Sequence, residues 1–244
     1  MLENFRKISI YEVIAFLAVM VMVAGYLTGV VNINSVVLLV LSSFLSTFLG
    51  ATYAFRLNSK KDKEKEDERR QSALQLALFI LARQDNAIRT VWKQIKDWDG
   101  RRDAFFNMPP IVTPLYEDLK QNFSEISFLL ETDSPNVLFK LSIEQERFSQ
   151  TIIAINERAK FHFEDFQPKV ADTGIGGKDV TLDEVKYILG ERIFGVLVAT
   201  TKNLFSHLSL SLKSLPSTAD ELFKLAKKEY PNCKFLYVVD VENK

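Results

Sequence analysis

The residues able to do chemistry are few and scattered. His162 and His207 stand far apart in the sequence, and neither falls in an H-E-x-x-H or Cys/His spacing, so no metal-ligand set can be read from them. Gly174-Ile175-Gly176-Gly177-Lys178-Asp179 has the glycine content of a phosphate cradle. It lacks the G-x-x-x-x-G-K-[ST] spacing and a strand before it, which makes it a flexible loop. Asp183 with Glu184 and Glu144 with Glu146 are paired carboxylates. The first pair suits the positive end of a helix dipole, and the second reads as an exposed helical face, so neither needs an acid-base role. Trp92 and Trp98, followed by Arg101 and Arg102, have the groups that stack on nucleic-acid bases, but aromatics at helical spacing usually belong to a core. Cys233 is the only cysteine, which excludes an internal disulfide and leaves a thiol read as structural. The residues name no catalytic group, no cofactor and no metal, so the chain is expected not to be an enzyme.

Charge narrows the classes further. Lys plus Arg number 31 and Asp plus Glu number 31, so there is no global attraction to nucleic acid. The apolar residues concentrate at the N-terminus. Residues 8–31 carry only Glu12 as a charge and residues 33–55 carry none. Each run exceeds the roughly 20 residues needed to cross a bilayer, so residues 1–57 are expected to form a transmembrane hairpin with spans at about 8–31 and 33–55. Glu12 lies in the first turn or two of its span, within reach of headgroups. A cleaved signal peptide is disfavoured by the length of the first run and by the second span that follows without an A-x-A site. Arg6 and Lys7 precede the hairpin, and Arg56, Lys60, Lys61, Lys63 and Lys65 follow it. The turn at Asn32 to Asn34 is uncharged, so both termini are expected to be cytoplasmic.

Small residues mark the expected packing faces of that hairpin. Gly25 and Gly29 form a G-x-x-x-G in the first run, and Ser42, Ser46, Gly50 and Ala54 recur every four residues in the second. Both stripes allow close backbone approach, either within one hairpin or between subunits of a homo-oligomer.

Residues 58–244 read as a cytoplasmic helical domain that opens with a charged stalk at 59–70. Opposite charges at i,i+3, such as Lys61 with Glu64 and Lys65 with Glu68, suit a solvated helix. Leu74, Leu81, Ile88 and Ile95 recur every seven residues, with Gln84 interrupting the neighbouring seam, so an apolar stripe faces a partner on a helix reaching about Trp98. Asp99-Gly100 ends it, and Pro109, Pro110 and Pro114 mark a connector. Leu115, Leu119, Phe123, Ile126 and Leu130 predict a second helix. A third, from Pro135 to Phe166, turns Leu141, Phe148, Ile152, Ile155, Ala159 and Phe163 inward. Residues 167–180 read as a loop, Thr181 to Glu184 as a capping box, and a fourth helix follows. Pro216 starts a fifth, which stops before Pro231. Residues 234–240, KFLYVVD, are rich in β-branched and aromatic types and predict one strand, which must pair with something.

The charge-free double span, the basic stalk and the segment from Ala73 to Asn86, ALQLALFILARQDN, together resemble small two-span effectors of bacterial antiphage systems, including those encoded beside retron reverse transcriptases. The resemblance implies an inner-membrane, multi-pass effector that perturbs the bilayer when its cytoplasmic domain is triggered or released. It also implies a protein partner on the cytoplasmic side, with a reverse transcriptase and its nucleic-acid product among the candidates. A non-enzymatic membrane-anchored scaffold or assembly factor is the alternative. The expected fold class is an all-α membrane protein: a two-helix transmembrane hairpin, then a cytoplasmic helical bundle with a short C-terminal strand.

Overall fold

The computed structural model describes Met20 and residues 23–29, 35–132 and 134–237 of the chain. It divides into compact units at Met1–Glu66 and Asp67–Lys244, a boundary inside the charged stretch. The principal elements are α1 (Ser35–Ile95), α2 (Ala104–Asn107), α3 (Asn136–Phe161), a π-helical turn (His162–Phe166), α4 (Gln167–Thr173) and α5 (Leu182–Glu229).

The membrane expectation is corrected. Among the described residues no helix is long and apolar enough to cross a membrane. The span expected at 8–31 lies mostly outside the described residues, where 23–27 are helical. The span at 33–55 falls on α1, whose side chains are described from Ser42 onward. Within its described part, from Ser42 to Phe55, the apolar run is broken by Ser42, Ser43, Ser46, Thr47, Gly50 and Thr52, and Arg56 follows it. This overturns both the expected membrane fold and the inner-membrane, multi-pass location inferred from it.

The expected C-terminal strand is also corrected. Residues 234–237 form no strand, and 238–240 lie outside the described residues. A segment of high β-propensity becomes a strand only when a ladder partner exists, and no other strand is present among the described residues.

The Asp67–Lys244 unit is organised around a main core where α1, α3 and α5 meet. Leu74, Leu81, Ile88 and Ile95 are all at or below 1% exposure there, beside Leu141, Ile152, Ile155, Leu208 and Leu222. The sevenfold stripe thus packs inside its own chain. Each buried Leu or Ile contributes about 1.5–3 kcal/mol, which makes this seam the main source of stability. Gln84 is accommodated by a polar clamp. Its Nε2 donates to the Leu119 carbonyl at 2.7 Å and to Gln145 Oε1 at 3.2 Å. The same Gln145 oxygen accepts from the Gln121 amide at 2.9 Å, and Gln121 Nε2 donates to the Ala77 carbonyl at 3.1 Å. Three glutamines therefore tie α1, the connector and α3 together.

A smaller second core holds Phe105, Phe166, Ile175, Val185, Leu189 and Leu197. Two backbone irregularities border it. Gln167 N–H bonds to the His162 carbonyl five residues back, closing a π-turn that buries His162 and Phe166 and leaves Phe163 48% exposed, not inward as expected. In α5, Gly190 adopts φ 79° and ψ 156°, so two helical stretches meet across a kink.

Other expected boundaries shift for local reasons. The helix anticipated over Leu115–Leu130 appears as 3₁₀ turns at Glu117–Leu119 and Ser127–Glu131. Tyr116 sits at φ 53°, and Leu119, Ile126 and Leu129 still reach the main core from these turns. The loop expected from 167 begins only at Gly174, whose φ of 63° ends α4. The capping box at Thr181 is present, with Glu184 N–H donating to Thr181 Oγ1 at 3.3 Å and Thr181 N–H to Glu184 Oε2 at 2.7 Å. The fourth and fifth helices are one, because α5 continues through Pro216. The cost of a proline inside a helix is outweighed by the flanking burial of Leu208, Leu215, Ala219, Leu222 and Ala226.

Candidate functional site

None of the sequence-derived chemical candidates assembles into a reactive centre. His162 is 6% exposed, its Nδ1 has no hydrogen-bond partner, and its ring lies 4.8 Å from that of Phe166. Burial, with the nearby Arg158 charge adding to it, depresses its pKa to about 4, so it is neutral near pH 7. His207 is half-buried on α5 beside Glu157 and Asn203. Among the described residues no group of three or more His, Cys, Asp or Glu can hold a metal ion.

Glu144 is not the exposed residue the sequence implied. It is 2% exposed, accepts from Arg147 Nη1 at 2.6 Å, and accepts from Ser214 Oγ at 2.6 Å. It joins α3 to α5. Asp183 and Glu184 are exposed at the start of α5, where the Thr181 amide and then its hydroxyl hold the Glu184 carboxyl below its ordinary pKa. Gly174 and Gly177 take positive φ in the turn after α4, and Ile175 between them is buried in the second core. Trp92 meets Phe205 edge-on at 6.4 Å, while Arg101 covers Trp98 at 4.2 Å.

Most of the small residues expected to line helix contacts lie at the surface of the single chain. Gly25 lies in the helical turn 23–27, but Gly29 has φ 71° and sits past its end, so the G-x-x-x-G does not share one helical face. Ser42, Ser46, Gly50 and Ala54 are exposed, and a Cβ added at Gly50 would meet nothing within 4 Å. The stripe of Leu74, Leu81, Ile88 and Ile95, expected to face a partner, is filled by α3 and α5.

The open apolar surface of α1 lies one step round the helix. Gln71, Ser72, Gln75, Leu76 and Phe79 form one wall of a groove of about 490 Å³, and Cys233 to Phe235 form the other. Leu76 and Phe79 are 45% and 46% exposed. The tail is held there by side chains. Leu236 N–H donates to Gln75 Oε1 at 3.2 Å, Cys233 Sγ donates to Gln71 Oε1 at 3.0 Å, and Lys227 Nζ donates to the Cys233 carbonyl at 2.6 Å. The Tyr237 and Phe223 rings meet at a tilt, 4.6 Å apart, and Phe235 packs on the main core. Periodicity pointed to the buried stripe and missed this groove. The usable signal was the surplus of apolar residues in ALQLALFILA beyond what one inward face requires. Comparison of the chain with protein-family models, with curated proteins and with solved structures finds no match.

Proposed function

We propose that this chain works by binding a protein partner and carries out no catalysis. The observation that supports this is the tail lying alongside the α1 groove. Residues 234–237 have one backbone amide held by Gln75, no ladder partner among the described residues, and the apolar side chains Leu76 and Phe79 open beside them. A partner segment in extended form can pair with the tail backbone and set an apolar side chain between Leu76 and Phe79, the combination used in strand-addition recognition.

The resemblance of Ala73 to Asn86 and its flanks to antiphage effectors supplies the proposed setting: an effector whose action is controlled by the partner seated in this groove. A reverse transcriptase is the proposed partner. A non-enzymatic scaffold is the second reading, favoured by the same groove without any change on release. Leu76→Asp with Phe79→Asp should weaken co-purification with the reverse transcriptase by at least tenfold while the helical signal is retained. Unchanged association would sink the groove as the docking site, and failure of the wild-type pair to associate would sink the proposed partner.

A further inference from the structure

The chain turns sharply at Gly100, φ 72°, and the residues that follow line two recesses. One, of about 360 Å³, has Phe105, Phe106, Val180 and Val185 among its lining residues, with Arg102 and Lys178 among its polar ones. The other, of about 280 Å³, is walled by Trp98, Phe105, Val198 and Phe205, with Arg102 and Lys202 among its polar residues. Arg102 and Phe105 belong to both. The recesses therefore adjoin across a shared wall, and are lined by the turn after α1, by α2, by residues 178–180 and by α5.

Their charges do not cancel. Asp103 is committed to Arg101, whose Nε and Nη2 reach Oδ1 and Oδ2 at 3.0 and 2.7 Å, and it also accepts from Asn107 Nδ2 at 3.0 Å. Those bonds hold the Asp103 carboxyl well below the ordinary range, so it stays an anion neutralised by Arg101. Asp99 and Asp179 also line the recesses, one in each. Against these two remaining carboxylates stand Arg102, Lys178 and Lys202, none of which forms an ion pair among the described residues, which leaves a small surplus of positive charge. The aromatic walls are fixed by their neighbours. Phe105 meets Phe194 at 5.2 Å and Phe106 meets Phe166 at 5.3 Å, both edge-on.

A lining that brings aromatic rings and cations together suits a ligand that carries a flat ring at one end and phosphate at the other. We propose that these adjoining recesses bind a free nucleotide, with the base against Phe106 and the phosphates on Arg102, assisted by Lys178 and Lys202. Arg suits the shared position because its planar fork holds two phosphate oxygens at once. Free nucleotide is favoured over a nucleic-acid strand because the positive surplus is small and local, while the whole chain has no net charge.

Calorimetric titration of the full-length chain with ADP, GDP, CDP and UDP tests this. At least one should bind saturably below millimolar concentration, and the matching nucleoside without phosphate should bind at least tenfold more weakly. Arg102→Ala, at an exposed position, should weaken that nucleotide at least tenfold with an unchanged circular dichroism spectrum. Lys140→Ala, whose residue pairs with Glu221 elsewhere, should leave it unchanged. No saturable binding of any of the four overturns the proposal. Equal affinity for the Arg102→Ala variant does so as well. A decamer of thymidylate binding tenfold more tightly than every mononucleotide also overturns it, by making the surface a nucleic-acid contact.

Discussion

Arg158 on α3 donates from Nε to the hydroxyl oxygen of Thr201 on α5 at 3.1 Å, with the guanidinium carried by a residue only 1% exposed. Its Nη2 donates to the Met108 carbonyl at 2.8 Å and Nη1 to the Pro109 carbonyl at 3.3 Å. Among the described residues it forms no ion pair with a carboxylate, and burial lowers its pKa to about 10, so it remains a cation at neutral pH. One side chain thus fastens the proline-rich connector to two helices. Arg158→Ala should cost about 3–5 kcal/mol, because it opens a cavity and strands the buried Met108 carbonyl and the Thr201 hydroxyl. Urea unfolding checks this, and an unchanged midpoint would show that the guanidinium does not hold the connector.

Stability should fall in mild acid. The folded pKa of His162, about 4, lies below the roughly 6.5 of an unfolded histidine. The unfolded chain then binds the proton first, so the contribution is complete above pH 6.5 and is lost as pH drops from 6.5 towards 4. The ceiling is on the order of 3 kcal/mol. Urea midpoints at pH 7 and pH 5 should differ in the wild type, and His162→Phe should flatten the difference while keeping the ring contact with Phe166.

Two glycines in α5 should respond in opposite directions. Gly190 sits at φ 79°, and a Cβ there meets nothing within 4 Å, so Gly190→Ala carries backbone strain alone, about 1–3 kcal/mol of destabilisation. Gly195 is helical and equally open, and Gly195→Ala should stabilise by about 0.5–1 kcal/mol. Thermal melts of the pair separate the two effects.

Leu81→Ala should destabilise by about 2–5 kcal/mol, since the side chain is 1% exposed in the main core. Leu76→Ala, on the open wall of the groove, should change stability by less than about 1 kcal/mol. Equal losses would mean that both residues are covered in solution.

The helical class, the end of α1, the capping box at Thr181 and the inward residues of α3 up to Ala159 follow directly from local spacing, because periodicity and capping are short-range properties. The partners of those faces are not local. The spacing of Leu74 and Leu81 shows that something covers them, but not that α3 and α5 of the same chain do so. Gln84 looks like a defect in the stripe until Leu119, Gln121 and Gln145 come within reach. Pro216 reads as a helix start because proline chemistry is local, whereas the burial that carries α5 through it is tertiary. The groove beside Leu76 and the recesses around Arg102 each combine segments distant in sequence, so no motif could announce them.

The turn from His162 to Phe166 holds one residue more than an α-turn, since its closing bond spans five positions. Deleting one residue there, such as exposed Glu164, would restore ordinary winding while rotating everything downstream by about 100°. Phe166 and Val170 would then swing away from the second core, although the chain before His162 would keep its seat in the first. The surplus residue works as a phase shifter: it lets one uninterrupted helical path address two apolar interiors whose angular positions no single winding could satisfy.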